Sequence, residues 1–283
     1  PSKLGVFQIP TTIFAWIIFL IAAFGPFLVL ALSTLMREPG NFALSNFDLA
    51  YWTGVNVPGM DQPGIFTSPE IIIALRNSFL IAGSAAIICG IFGLIVGYAV
   101  VRLPGSLISA YLRQISFLPY LMPGLAFAAA FLSLFAVSRG PIPALYGSLS
   151  LLILVMVVTY LPYASRSGIS AMMQVGQEPE EAGMVLGAGF WRRIFKILAP
   201  LQKSALVVAI ILPFITGMKE LSLVVMLVTP GTELLTTQSI RFLDFGYTQL
   251  ANATILIIGV VVMISVLFLN RVTKTNLASG LGG

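Results

Sequence analysis

Long apolar runs dominate this chain, and the short stretches between them collect nearly all of its charge. A bilayer core of about 30 Å takes roughly 20 apolar residues in helix. That window fits six stretches, near 11–35, 72–101, 115–137, 144–165, 204–229 and 250–270. The expected fold class is therefore all-α: a polytopic membrane protein with six transmembrane helices in a single transmembrane domain over 1–283. The first run, Ile9 to Leu35, is too long for the apolar core of a signal peptide, which takes about 7–15 residues, and it reads as a spanning helix.

Composition strengthens that picture. Hydrophobic residues make up 58% of the 283 positions and mean hydropathy is +1.01, whereas soluble domains are about 45–50% apolar. Six crossings place both termini on one side of the membrane. Lys3, Arg102, Arg113, Arg166, Arg192, Arg193, Lys196, Lys203, Arg271 and Lys274 fall at the termini and in the second and fourth loops. Across the membrane, Arg37, Arg76, Arg139 and Arg241 are mixed with Glu38, Asp48, Asp61, Glu70, Glu233 and Asp244. Positive charge marks the cytoplasmic side, so the termini and the loop 177–200 are expected in the cytoplasm. The net charge of +5 is thus placement about a bilayer, with no basic run that points to a nucleic-acid partner.

The chain has no histidine and one cysteine, Cys89, in "AAIICGIFGL". It can close no disulfide within the chain and has no histidine to share a metal site with. It reads as packing. The lack of histidine also removes Ser-His and Cys-His nucleophile pairs, so no catalytic residue and no cofactor bound by this chain is expected. Gly83, Gly90 and Gly97 recur every seven residues in the second span, with Gly93 completing a G-x-x-x-G with Gly97. Small residues on one stripe let helices approach closely, within this bundle or against a partner subunit. The outer segment from Arg37 to Glu70, rich in Pro, Gly and Asn, predicts an irregular extracytoplasmic loop or a short lateral helix.

The densest charge cluster is "EEAGMVLGAGFWRRIFKILAPL", residues 180–201. Pro179 suits the first helical turn, and Glu180 and Glu181 complement the positive end of the helix dipole. Gly187 and Gly189 stop that helix after a few turns. In the helix that follows, Trp191, Ile194, Phe195 and Leu198 take i, i+3, i+4, i+7 spacing while Arg192, Arg193 and Lys196 project elsewhere, as in a helix lying at a membrane surface. Pro200 is expected to end it.

These residues resemble the EAA loop of permease subunits of ATP-binding-cassette importers: Glu-Ala-Ala, three residues, Gly, nine residues, Ile, any residue, Leu-Pro. Here the frame is Glu181, Ala182, Gly183, Gly187, Ile197 and Pro200, with Gly183 in place of the second Ala and Ala199 in place of Leu. The resemblance implies a type I importer permease fold. It also implies that Glu181, Ala182, Gly183, Gly187, Ala188 and Gly189 couple to a separate ATPase. The implied assembly has two ATPase subunits carrying ATP and Mg, a second permease half and an extracytoplasmic solute-binding protein. This chain has no G-x-x-x-x-G-K-[ST] phosphate loop, so ATP hydrolysis is expected on the partner chain.

"PFITGMKELSLVVMLVTPG" places Lys219 and Glu220 within the predicted fifth span. An ionisable residue at mid-bilayer costs about 2.5–3.5 kcal/mol, so such residues face protein or water. Neighbours on a helix point about 100° apart, so each is expected to need its own partner. They are candidates for the translocation pathway or gate, beside Pro213 and Gly217, where a helix can break. "KELS" and the later "TPGT" also resemble the ferric-iron branch of these permeases. Many members of that branch are fused chains with two such halves, and a chain beginning at Pro1 would suit one half of a longer permease. Polyamine, sulfate, thiamine and phosphonate permeases share the architecture. A hard cation prefers oxygen ligands, and Glu220, Tyr120, Tyr160 and Tyr163 are the oxygen donors in or near the spans. Tyrosines near span ends otherwise serve as interfacial anchors. The rival reading, an ion-driven carrier or channel using Lys219 and Glu220 directly, gives no reason for the spaced cytoplasmic motif.

Overall fold

The computed structural model describes residues 5–54 and 62–273; Lys3, Asp61 and Lys274 lie outside them. Among the described residues the secondary structure is helical, with two isolated bridges, Met36 to Phe47 and Arg139 to Ile142, and no strand. The longer helices among the described residues are α1 Gln8–Ser33, α2 Pro69–Arg102, α3 Leu107–Ile115, α4 Gly124–Phe135, α5 Leu149–Gln174, α6 Glu178–Val185, α7 Phe190–Leu201, α8 Lys203–Met218, α9 Leu235–Asp244 and α10 Thr248–Thr273. α1, α2, α5 and α10 are each long and apolar enough to cross a membrane. The count rises to six if each of two bent pairs is one crossing.

Those bent pairs are where the structure departs from uniform spans. The stretch predicted as one span near 115–137 is α3, a 3-10 turn Leu118–Leu121 and α4, bent by 107°. Pro119 and Pro123 cannot donate to a helical ladder, so the chain turns there. The fifth span, predicted to run over 204–229, ends at Met218. Glu220 is the cause, because its Oε1 accepts the Leu223 N–H at 3.0 Å and captures a donor that a continuing helix would use. α5 instead overruns its predicted end at 165, passing through Pro162 to Gln174. α1 carries a π-helical turn at Leu20–Phe24, just before Gly25 and Pro26, where the missing Pro N–H interrupts the ladder.

The chain divides into two compact units, residues up to 72 with 238–259, and 73–237 with those from 260 on. In the first, Asn252 Nδ2 donates to Ser33 Oγ at 3.0 Å and Gln249 Nε2 to the Arg37 carbonyl at 3.3 Å. The segment after α1 is mostly irregular with a short helix at Ala50–Thr53, and buried Asn46 ties it together by donating to the Glu38 and Asn41 carbonyls. Arg37 pairs with Asp48 across the same segment.

The second unit holds an apolar core centred on Ile81, Leu151, Leu152, Met156 and Leu223, with Cys89 among them as expected. The glycine stripe packs within this unit. A Cβ on Gly97 would lie 2.4 Å from the Gly168 carbonyl carbon, and one on Gly93 would lie 2.5 Å from the Ala164 carbonyl oxygen. Gly90 faces Ile210 of α8, whereas Gly83 has open space and no part in the stripe. Asn77 Nδ2 donates to the Gly231 and Glu233 carbonyls, both at 3.0 Å, and Ser78 Oγ accepts the Leu235 N–H at 2.9 Å. These bonds strap the non-helical stretch between α8 and α9 to α2.

Substituting Gly168→Val should therefore destabilise the protein by about 1–3 kcal/mol through forced backbone separation. Gly83→Ala should be neutral or stabilising by up to about 1 kcal/mol. Thermal unfolding in detergent measures both, and equal effects at the two positions would contradict the packing described.

Candidate functional site

The loop 177–200 forms an elbow built on one carboxylate. Pro179 lies in the first turn of α6 as predicted, with Glu178, Glu180 and Glu181 beside it. Their fates differ. Glu181 is exposed, while Glu180 is 4% exposed and fully engaged. Its Oε1 accepts the Tyr98 hydroxyl at 2.7 Å and the Arg193 Nε at 3.3 Å, and its Oε2 accepts the Arg102 Nε at 3.2 Å. Arg102 Nη2 also donates to the Val175 and Gly176 carbonyls at 3.0 and 2.7 Å, satisfying the C-terminal end of α5. Arg193 Nη1 donates to the Ala188 carbonyl at 3.0 Å. Hydrogen bonding to Tyr98, and then to Glu180, raises the Arg193 pKa above its ordinary value, so the guanidinium stays charged. The sequence analysis did not single out Tyr98. It and Arg102 stand four residues apart on α2, hence on one face, and that spacing is the signal that could have found them.

The glycines of the elbow have separate reasons. Gly187 sits at φ +74°, a left-handed conformation suited to glycine. Its N–H bonds the Met184 carbonyl at 2.9 Å and the Ala188 N–H bonds the Gly183 carbonyl at 2.9 Å, a Schellman close to α6. Gly189 is in extended conformation and caps the start of α7. Gly183 is buried, and a Cβ there would meet Ile197 Cδ1 at 2.6 Å, the movable end of a side chain, so an alanine as in the motif would need only a shift of Ile197. Ala182 is exposed and Ala188 half-buried. Beyond them the helix tip presents Met184, Val185 and Leu186, the last two 87% and 86% exposed.

α7 corrects the predicted single apolar face. Ile194 and Leu198 are buried against Leu94 and Met172, while Trp191 and Phe195 are exposed and stacked on each other at 5.9 Å. A π-helical turn over Ile194–Leu198 widens the helix there, so the four residues do not share one stripe. Pro200 does not end α7 by itself. The break comes at Gln202 (φ −107°, ψ 23°), and α8 leaves at 89°.

Lys219 and Glu220 lie past the end of α8 rather than on a continuous helix, and they do not pair with each other. Lys219 is exposed, without an ion-pair partner among the described residues. Half-buried Glu220 accepts the hydroxyl of buried Tyr160 on α5 through Oε2, and its carbonyl accepts the Thr236 hydroxyl at 2.7 Å. Tyr160 contacts Tyr163 at 6.3 Å between ring centroids, and Tyr163 contacts Tyr120 at 6.0 Å. The four oxygen-bearing residues singled out in the sequence thus adjoin one another in a row. No group of three His, Cys, Asp or Glu side chains suited to a metal ion occurs among the described residues.

Residues 89–276 match the family described as binding-protein-dependent transport system inner membrane component. The chain belongs to this family. Its relatives include the ferric transport system permease protein FbpB of Actinobacillus pleuropneumoniae, 27% identical over 89% of this chain and 34% of the relative. The sulfate transport system permease protein CysT of Escherichia coli is 29% identical over 57% of this chain and 60% of the relative. The chain therefore spans about a third of the length of FbpB. Among solved structures it superposes on a chain of a bacterial ABC transporter involved in the import of alginate, with a TM-score of 0.69, 17% identity and coverage of 96% and 94%. A chain of the MetNI methionine ABC transporter in an inward-facing conformation gives a TM-score of 0.52 at 18% identity, over 74% of this chain and 98% of that one. The fold is that of these transporter chains, and as an inner-membrane component the chain is a multi-pass membrane protein.

Removing one partner of a buried ion pair costs about 3–5 kcal/mol, because the other charge is left uncompensated. Glu180→Ala should lower stability by that amount and open the elbow to proteolysis near Gly187, whereas Arg192→Ala, at an exposed position, should change stability by no more than about 0.5 kcal/mol. Thermal unfolding and limited proteolysis of the purified protein test the contrast.

Proposed function

We propose that the chain is the permease subunit of an ATP-binding-cassette importer, and that its elbow couples the translocation pathway to a separate ATPase subunit. The observation that carries this reading is the tip of α6. Glu181, Ala182, Val185 and Leu186 are exposed there, on a base that the Glu180 network holds rigidly against α2 and α7. Exposed apolar residues on a fixed support are suited to docking on a partner. A push on that tip would travel along α7, through the bend at Gln202, into α8, which ends at the Lys219 and Glu220 region against Tyr160 of α5. The working assembly would combine two ATPase subunits, which bind ATP and Mg, with a second permease half and an extracytoplasmic solute-binding protein. The termini would lie on the cytoplasmic side, as the distribution of Lys and Arg suggests.

Ferric iron is the substrate we favour. One relative named for ferric transport matches over 89% of this chain, whereas four named for sulfate transport match over 57% to 74%. Glu220 with Tyr160, Tyr163 and Tyr120 supplies the oxygen chemistry that a hard cation prefers. The sulfate relatives support a second reading, in which the assembly carries an oxyanion.

Two experiments on the reconstituted importer test these points. Glu181→Lys and Gly187→Asp should each reduce ATPase stimulation by the loaded binding protein at least about tenfold, the loss of roughly 1.4 kcal/mol of coupling. Stimulation at the unsubstituted level in both variants would sink the coupling role. Glu220→Gln should lower iron uptake while leaving ATPase docking intact, and uptake of sulfate but not iron by the unsubstituted assembly would sink the iron assignment.

A further inference from the structure

Two cavities in the second unit lie between the α3–α4 bend and α5, away from the elbow tip; the polar one borders the Glu220 row through Phe117, which stacks on Tyr120 at 5.3 Å. One, of about 250 Å³, is polar, with Arg113, Gln114, Ser116, Ser165 and Arg166 in its wall. The other, of about 360 Å³, is apolar, with Leu112, Ile115, Leu118, Met122 and Leu161. Ser116 lines both, so the two adjoin.

The polar cavity is chemically incomplete. Both arginines are exposed and neither has a carboxylate partner among the described residues, so their donors are free for a ligand; Arg166 is oriented by the Phe117 ring, whose centroid lies 4.4 Å from its guanidinium carbon. Ser165 is 2% exposed and its Oγ has no hydrogen-bond partner. A helical serine ordinarily satisfies its hydroxyl on the carbonyl one turn back, and leaving it unsatisfied and buried is costly. Two unpaired arginines and a spare hydroxyl around one space suit an oxyanion, since guanidinium groups match the spacing of phosphate oxygens. The neighbouring apolar cavity argues for an apolar tail on the same ligand.

We propose that the two cavities form one site for an anionic phospholipid, with its phosphate held by Arg113, Arg166 and Ser165 and an acyl chain in the apolar cavity. A free oxyanion would fill the first cavity and leave the second unused, whereas a lipid uses both. Such a ligand would splint the bend between α3 and α4 to α5.

Native mass spectrometry of the intact importer assembly, titrated separately with phosphatidylglycerol, phosphatidylcholine and inorganic phosphate, tests the site. Phosphatidylglycerol should bind preferentially. The Arg113→Gln/Arg166→Gln double variant should weaken it roughly 30-fold, at about 1 kcal/mol per basic residue. Ser165→Ala, which leaves the charges in place, should weaken it several-fold, and Leu161→Trp should do so by filling the apolar cavity. These two variants decide the matter if the double variant does not fold. Phosphatidylglycerol binding that survives them all, or no bound lipid in the unsubstituted assembly because a partner subunit covers the face, would overturn the proposal. Inorganic phosphate competing at the same residues, without any lipid preference, would overturn the lipid in favour of a free oxyanion.

Discussion

A carboxylate removed from water is stable only where other groups replace its hydration, and the organisation of the elbow follows from that constraint acting on Glu180. Its side chain is 6% exposed, against 10% for Arg102 and 15% for Arg193. Three elements must therefore meet at one point: α2 through Tyr98 and Arg102, α6 through Glu180, and α7 through Arg193. Each arginine then spends further donors on backbone carbonyls, at Val175 and Gly176 or at Ala188. A buried ion pair of this kind adds little net stability over an apolar substitute, but it has few alternative arrangements. Its effect here is geometric, since it fixes the direction in which α6 leaves the body of the protein. The exposed Val185 and Leu186 are held out by that anchorage and not by packing of their own.

A second constraint acts where helices break. An uninterrupted apolar helix satisfies its own backbone, so each interruption must supply other partners for the groups it frees. At the α3–α4 bend Pro119 and Pro123 bring no N–H to satisfy, and the Ser106 cap accepts the Ser109 N–H at the start of α3. At the end of α8 the freed groups are met by side chains: Glu220 on the Leu223 N–H, Thr236 on the Glu220 carbonyl, and Asn77 and Ser78 on the stretch that follows. Glu220 therefore holds the backbone and faces Tyr160 at once. A pathway residue with two such duties would shift the end of α8 when its bonding changes, which links the proposed gate to the proposed lever through one carboxylate.

Much of the fold was legible in the sequence because membrane helices leave strong, long signals. The helical class, the apolar segments, the irregular stretch after α1 and the short acidic helix closed at Gly187 all follow from residue type and spacing, which act within a few residues along the chain. The close packing of Gly93 and Gly97 was legible for the same reason, although Gly83 carries the same spacing and faces open space. Local patterns state what a residue can do, and the neighbour decides whether it does so.

What only the tertiary structure decided concerns groups far apart in the chain. Glu180 and Glu181 are adjacent acids at one helix start, yet Tyr98 and Arg102, some 80 positions away, bury the first and leave the second outside. Tyr160 and Glu220 are separated by 60 positions and meet because α5 and α8 pack together. The early end of α8 belongs to the same class, since hydropathy continues past Met218 and only hydrogen bonding by Glu220 and its neighbours stops the helix. Sequence thus determined the materials and their local periodicity; long-range pairing, which decides which polar groups must be satisfied together in an apolar interior, determined the site.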